Sequence, residues 1–296
     1  MTSSTDIYHY TNHAGLEGII RTASLYATDA AFLNDSSELR FGADLVSTAL
    51  KNKSSDLRSQ VETLDLGSEL GSRVRMLESA ASSLDDSNVF DTEFSRGVYV
   101  VSFSGREDAL SQWRGYGSEG GGVCLGFDLS TLTMSLDDTN GIPTVRMDPG
   151  TLRYRGPRQV MYGAECHSEA DSVAEFAAAL PPRGHPGAFG YGFAYTEGIR
   201  AIAIMKHAAF KEENEYRIVV HERSEGLVPV DQLKFRVGRA RLIPYLTVAF
   251  PAASLRSIRV GPGADMAFRM RAIKHLLRAY GHCDVEVVES EAPYRP

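Results

Sequence analysis

Cysteine is scarce: the 296 residues contain three, Cys124, Cys166 and Cys283, far apart and without a CxxC pair. That pattern excludes a disulfide framework and a cysteine zinc site, and it fits a reducing compartment. No apolar run approaches the ~20 residues of a membrane-spanning helix. The start MTSSTDIYHYTN has no basic region followed by an apolar stretch, so a cytoplasmic location without a membrane partner is expected. Neither a GxSxG elbow nor a GxxxxGK phosphate loop followed by Ser or Thr occurs, which weakens hydrolase and nucleoside-triphosphatase readings. Excess positive charge is also missing. With a net charge of −7, the molecule as a whole is not drawn to nucleic acid or to an anionic membrane. A local basic face remains on one apparent helix, at Arg269, Arg271, Lys274, His275 and Arg278.

What is present is ordinary globular material, 43% hydrophobic and 23% charged, enough to bury a core. No linker, repeat or low-complexity segment interrupts it, so a single α+β domain over residues 1–296 is expected, with a polar helical insertion at 54–86. IYHYT reads as a strand and HAGLEGIIRT as a helix. SLYATDAAFLND reads as extended, and Asp35 with Glu38 reads as a capping box that opens the next helix. GVYVVSFSG is the clearest strand of the first half. REDALSQWRGYG follows as a helix, GGGVCLGFDLS as a strand, and PTVRMDPGTLRYR as a further extended segment. A Pro/Gly-rich loop precedes a helix expected from Phe193 to Phe210. EYRIVVHE, LKFRVGRARLIPYLTVAF and LRSIRVGP are extended, and ADMAFRMRAIKHLLRAYG is a helix that leads into the strand CDVEVVES. Strands at both ends with helices between them predict a mixed central β-sheet with flanking helices.

Two short motifs fail on context. GYGSEG matches GxGxxG at Gly115, Gly117 and Gly120, but a helix precedes it and a strand follows, the reverse of a dinucleotide fingerprint. His9 and His13 have the spacing of two zinc ligands, yet Tyr10 stands where a zinc protease carries its glutamate and His9 is in a strand, so no metal site is assigned. What remains is a constellation: His9 and Thr11 on the first strand, Ser102 and Ser104 on VSFS, Trp113 and Tyr116 after it, and Glu213 and Glu215 at the mouth of EYRIVV. Each residue type has a common structural use, and Glu213 or Glu215 would pair readily with Lys206, Lys211 or Arg217.

YHYT, FLNDSSE, VVSFS, the QWRGYG…GGVCLGFD block, the spacing of Lys206, Phe210, Glu213, Glu215 and Arg217, and IRVGPG…VVESEAPYR resemble the bacterial family known as domain of unknown function 2971. That resemblance implies kinship with the ADP-ribosyltransferase fold and its split sheet. By residue type, the HYT of His9 to Thr11 looks like that fold's His-x-Thr, Ser102 and Ser104 like its Ser-x-Ser, and Glu213 to Glu215 like its Glu-x-Glu. No tyrosine beyond Tyr99 stands in the second strand, which leaves Tyr116 or Trp113 to stack on nicotinamide.

The implied activity is an NAD-dependent ADP-ribosyltransferase, or an NAD glycohydrolase, acting on an intracellular protein or nucleic acid. A toxin or anti-phage effector with an antitoxin or defence-system partner is the implied setting. Cleaving the ribose–nicotinamide bond builds positive charge on the sugar, which a nearby carboxylate stabilises. Glu215 is expected to act through the ribose 2′-hydroxyl, and Glu213, on the same face of a strand, to orient or deprotonate the acceptor. The alternatives are a non-catalytic nucleotide-sensing domain and an enzyme acting on nucleic acid through Arg153, Arg155, Arg158 and the basic closing helix.

Overall fold

Residues rich in β-branched and aromatic side chains form the strands, because such side chains fit a pleated, half-buried surface. The computed structural model describes residues 6–33, 37–60, 65, 68–85, 98–116, 121–136, 156–180, 198–221, 233–238 and 241–293. In chain order come β1 (Asp6–Thr11), α1 (His13–Thr22), β2 (Ser24–Asp29), α2 (Ser37–Ser59), α3 (Glu69–Asp85), β3 (Val98–Ser104), α4 (Leu110–Tyr116), β4 (Val123–Asp128) and α5 (Leu129–Leu136). Then follow β5 (Arg158–Gln159), β6 (Met161–Tyr162), α6 (Ala164–Ala179), β7 (Met205–Lys206), β8 (Glu215–His221), β9 (Lys234–Val237), β10 (Leu242–Ala249), β11 (Leu255–Val260), α7 (Met266–Ala279) and β12 (Glu286–Glu289).

The strands build a mixed ten-stranded sheet in the order β12-β11-β4-β1-β3-β2-β10-β9, with β8 also paired to β3 and β5 to β8. The β11–β12 pair is parallel, whereas β1, β4, β3, β2 and β8 pair antiparallel. The sheet branches at β3. Along one edge that strand meets β1 at Tyr8↔Ser104 and β2 at Thr28↔Val100 and Asp29↔Tyr99, while its full length pairs with β8 from Val98↔His221 to Ser104↔Glu215.

Alternation sends the two faces of β3 into two different cores. Tyr99, Val101 and Phe103 join Ile7, Leu125, Phe127 and Ile218, covered by Leu16, Ile19 and Ile20 of α1 and by Ile273 and Leu277 of α7. Val98 and Val100 join Val219 under the helices α2, α3 and α6, with Val46, Leu50, Leu77 and Ala174. Each large side chain fully buried in this way contributes roughly 1.5–3 kcal/mol. Within residues 54–86, α2 continues to Ser59, and α3 buries Val74, Leu77, Ala81 and Leu84.

The expected mixed sheet with flanking helices is observed, and three local expectations need correction. SLYATDAAFLND does not stay extended: after β2 it makes a 3-10 turn at Ala30–Phe32, capped by Asp29 Oδ1, which accepts the Ala31 N–H at 3.0 Å. The helix expected from Phe193 to Phe210 is helical at 198–202, then yields to β7 and a 3-10 turn at Ala208–Glu213. Tertiary bonds decide this: Met161 N–H reaches the Ile204 carbonyl at 2.8 Å, and the Arg217 guanidinium reaches that of Ala203 at 2.8 Å. Glu38 is the third case, because its carboxylate bonds to Lys206 and Arg217 across the fold. Asp35, the extended segment at 143–155, and Arg153 and Arg155 lie outside the described residues.

Candidate functional site

The run KEENEYR begins as a 3-10 turn. Asn214 then takes the left-handed conformation (φ 45°, ψ 56°) and redirects the chain into β8. Glu213 and Glu215 are therefore not successive same-face positions of one strand as expected, since Asn214 breaks the extension between them. They meet instead through Lys206 of β7. The Lys206 ammonium lies 2.6 Å from Glu213, 2.7 Å from Glu38 and 2.9 Å from Glu215. Arg217 completes the cluster, with its Nε 2.7 Å from Glu215 Oε1 and an Nη 2.6 Å from Glu38 Oε2. Glu38 and Glu215 thus share both cations in a closed ring, while Glu213 is joined to Lys206 alone.

Burial separates the two glutamates. The Glu215 side chain is 9% exposed and that of Glu213 is 38% exposed. Glu212, in the 3-10 turn, is exposed. Three carboxylates against two cations leave the cluster formally one negative charge in excess. Burial by itself would push the Glu215 carboxyl up, but the Arg217 guanidinium and then the Lys206 ammonium outweigh it and hold the group below the usual carboxylate range. Burial lowers the basicity of Lys206, and Glu215 with its neighbouring carboxylates more than reverses that, so the lysine stays charged. A charged lysine cannot serve as a nucleophile. The Phe210 ring, 5.3 Å from the ammonium, closes the remaining side.

β3 supplies the next wall. The cross-strand pairs Ser102↔Arg217 and Ser104↔Glu215 put both serines on the face that carries the ion cluster. Ser104 Oγ donates to the Glu213 carbonyl at 3.4 Å and accepts the Arg106 N–H at 3.1 Å, tying the end of β3 to the glutamate turn. Gly105 makes this approach possible: a Cβ there would come 2.1 Å from the Asn214 side-chain nitrogen. Opposite, the Tyr162 hydroxyl accepts the Glu215 N–H at 3.1 Å. Tyr162 also lines a cleft of about 300 Å³ together with Arg106, Gln159, Glu165, Lys211 and Asn214.

His9 stands on the other face. It shares the side of β1 that carries Ile7, and its ring meets Phe103 edge-on at 5.8 Å. Because β1 and β3 pair only at Tyr8↔Ser104, the strands diverge there, and His9 Nδ1 takes up the Ser102 carbonyl at 2.9 Å. A carbonyl only accepts, so the proton is on Nδ1 and Nε2 is left as an acceptor. Burial lowers the pKa of the imidazole, which favours this neutral form. His9 thus reaches the serine strand through its backbone, with the sheet between its ring and the carboxylates. Thr11 is half-buried against α1, its hydroxyl close to Gly15.

Trp113 belongs to a separate polar centre. Its ring is buried edge-on to Tyr10 at 4.8 Å, and a Cβ on Gly261 would come 2.8 Å from it. Its indole N–H goes to Asp108 at 2.6 Å. Tyr116 ends α4, and its side chain lies outside the described residues. On α7 the exposed basic residues are Arg271, Lys274, His275 and Arg278, whereas Arg269 turns inward to the Gly261 and Gly122 carbonyls.

Glu38 and Tyr162 were not identified as site features from the sequence, whereas pairing of the glutamates with Lys206 or Arg217 was one alternative read there. Glu38 lies 179 positions from Arg217, and no local spacing signals a bond at that separation. Among the described residues no helix is long and apolar enough to cross a membrane.

No curated protein and no solved structure matches the chain. Residues 112–218, from α4 into β8, match the family described as "Protein of unknown function (DUF2971)". The matched stretch, just over a third of the chain, is similar to that family and holds Trp113, Tyr162, Lys206, Glu213, Glu215 and Arg217.

Proposed function

We propose that the chain cleaves NAD, as an ADP-ribosyltransferase or an NAD glycohydrolase, using the carboxylates at the mouth of β8. One observation carries the reading. Glu213 is a half-exposed carboxylate with a single partner, set beside a cleft and backed by a second carboxylate that two cations keep ionised. Positive charge developing on ribose needs an accessible carboxylate oxygen nearby, and Glu213 offers one. Glu215, enclosed in its ring with Glu38, holds the geometry. That exchanges the roles expected from the order of the two glutamates. Ser104 fixes the turn that carries Glu213, and the Tyr162 hydroxyl provides a polar edge between cleft and cluster.

The branch of the sheet at β3 is the feature that we connect with an ADP-ribosyltransferase-like split sheet. The cytoplasmic setting, the macromolecular acceptor and a toxin or defence role with a cognate partner belong to the same proposal. They rest on the family resemblance. The test is incubation of the purified chain with labelled NAD, followed by mass spectrometry of nicotinamide, free ADP-ribose and modified macromolecules. Release of nicotinamide supports the reading, and NAD left intact under all acceptors refutes it.

A second reading, a non-catalytic nucleotide-sensing domain, is favoured by the full pairing of Glu215, which is how a purely structural buried carboxylate is held. On that reading NAD or a fragment of it raises the melting temperature without being consumed.

A further inference from the structure

The cleft beside the ion cluster differs from its surroundings in charge. Its titratable lining is Arg106, Lys211 and Glu165, with Tyr162 and the amides of Gln159 and Asn214 as neutral polar groups. Formally this is one positive charge in excess, on a chain whose net charge is −7. Arg106 and Lys211 come from separate elements that a backbone bond holds together, Gly105 N–H to the Asn214 carbonyl at 2.7 Å. Both cations are exposed, and neither forms an ion pair among the described residues. Glu165 turns toward the chain itself, with its Oε2 3.5 Å from the Tyr162 N–H.

The amides are tethered to each other: Gln159 Nε2 donates to Asn214 Oδ1 at 3.3 Å. That leaves further N–H donors on both side chains, since an amide nitrogen carries two hydrogens. Two unpaired cations and spare amide donors around about 300 Å³ form a set that suits oxygens bearing negative charge. The volume is at the lower end of small-molecule sites.

We infer that this cleft binds the diphosphate of a nucleoside diphosphate or dinucleotide, with Arg106 and Lys211 as its charge-bearing contacts. The identity of the rest of the ligand rests on the NAD reading above, whereas the diphosphate assignment rests on the cleft's own side chains. A diphosphate held here lies beside Lys211 of the turn that presents Glu213 and beside Asn214, which ends it.

The test is calorimetric titration of the full chain with ADP, inorganic pyrophosphate and, as the phosphate-free control, adenosine. ADP and pyrophosphate bind the wild-type chain, with affinity falling as salt rises, and adenosine does not. Arg106→Gln and Lys211→Gln each weaken ADP binding by roughly tenfold, the scale of one charge-assisted contact. Both side chains are exposed, so thermal unfolding of the ligand-free variants matches wild type and certifies their fold. Absence of ADP and pyrophosphate binding at millimolar concentration overturns the inference, as does full affinity in the two variants. Wild type that binds ADP through Arg106 and Lys211 but releases no nicotinamide from NAD upholds this site while refuting the enzymatic proposal.

Discussion

Two polar centres are built into this fold, and they are satisfied in different ways. Around Asp108, one carboxylate takes its hydrogen bonds from neutral donors, Trp113 Nε1 and Ser290 Oγ at 2.6 Å and the Glu291 N–H at 2.7 Å, with the Arg259 guanidinium farther off at 3.9 Å. Burial raises the pKa of Asp108, and those three hydrogen bonds outweigh the effect and hold it low. The centre fastens the segment after β12 to α4. Around Lys206 the members are ions, the charges do not cancel, and one carboxylate reaches solvent beside a cleft. A buried polar cluster is therefore no sign of a site in itself. The informative features are surplus charge and access.

The comparison can be broken first at Arg217. Replacing it with Ala leaves Glu215 and Glu38 each short of a buried cation, and about 3–5 kcal/mol of stability is lost, the scale for removing one partner of a buried pair. Urea denaturation measures this, and a loss below 1 kcal/mol would show that the ring is not a structural unit. Asp108→Asn comes next. It removes one acceptor oxygen and destabilises by about 1–3 kcal/mol, while ADP binding and any NAD turnover stay at wild-type level.

A smaller effect is read in pH. Burial depresses the His9 pKa in the folded chain, whereas the unfolded imidazole takes up its proton below about pH 6.5. Protonation therefore favours the unfolded chain, and stability falls as pH drops below about 6.5, by at most about 1.4 kcal/mol per pH unit. His13 is depressed in the same direction. His9→Gln thus removes part of the slope between pH 7 and 5.5, and an unchanged slope would deny His9 that role. The smallest change in stability belongs to Glu213→Gln, less than about 1 kcal/mol for a half-exposed pair.

The sheet was legible in the sequence wherever β-branched and aromatic residues were dense. GVYVVSFSG, EYRIVV, VCLGF and LRSIRV became β3, β8, β4 and β11, and β3 and β4 are buried on both faces, which is why they read as near-continuous apolar runs. α6 is harder to read, since its buried stripe is Cys166, Ala170, Ala174, Ala177 and Ala178, small side chains that give little hydrophobic contrast. At the candidate site, the crowding of Glu213 and Glu215 was visible, and so was their pairing with Lys206 and Arg217 as one alternative. What local spacing could not show was Glu38 arriving from α2, or Asn214 turning the chain so that one glutamate is enclosed and the other exposed. The two faces of β3 were equally hidden. His9 and Ser102 look alike as strand residues, and only the register Tyr8↔Ser104↔Glu215 puts the His9 ring on the far side.

The central claim is that the exposed member of the pair acts on NAD, and nicotinamide release by Glu213→Gln beside wild type tests it most directly. Wild type turns NAD over, and the variant loses roughly 100-fold or more of that activity, with the melting temperature nearly unchanged. Equal turnover by the two proteins would contradict it, and so would a wild-type chain that leaves NAD untouched.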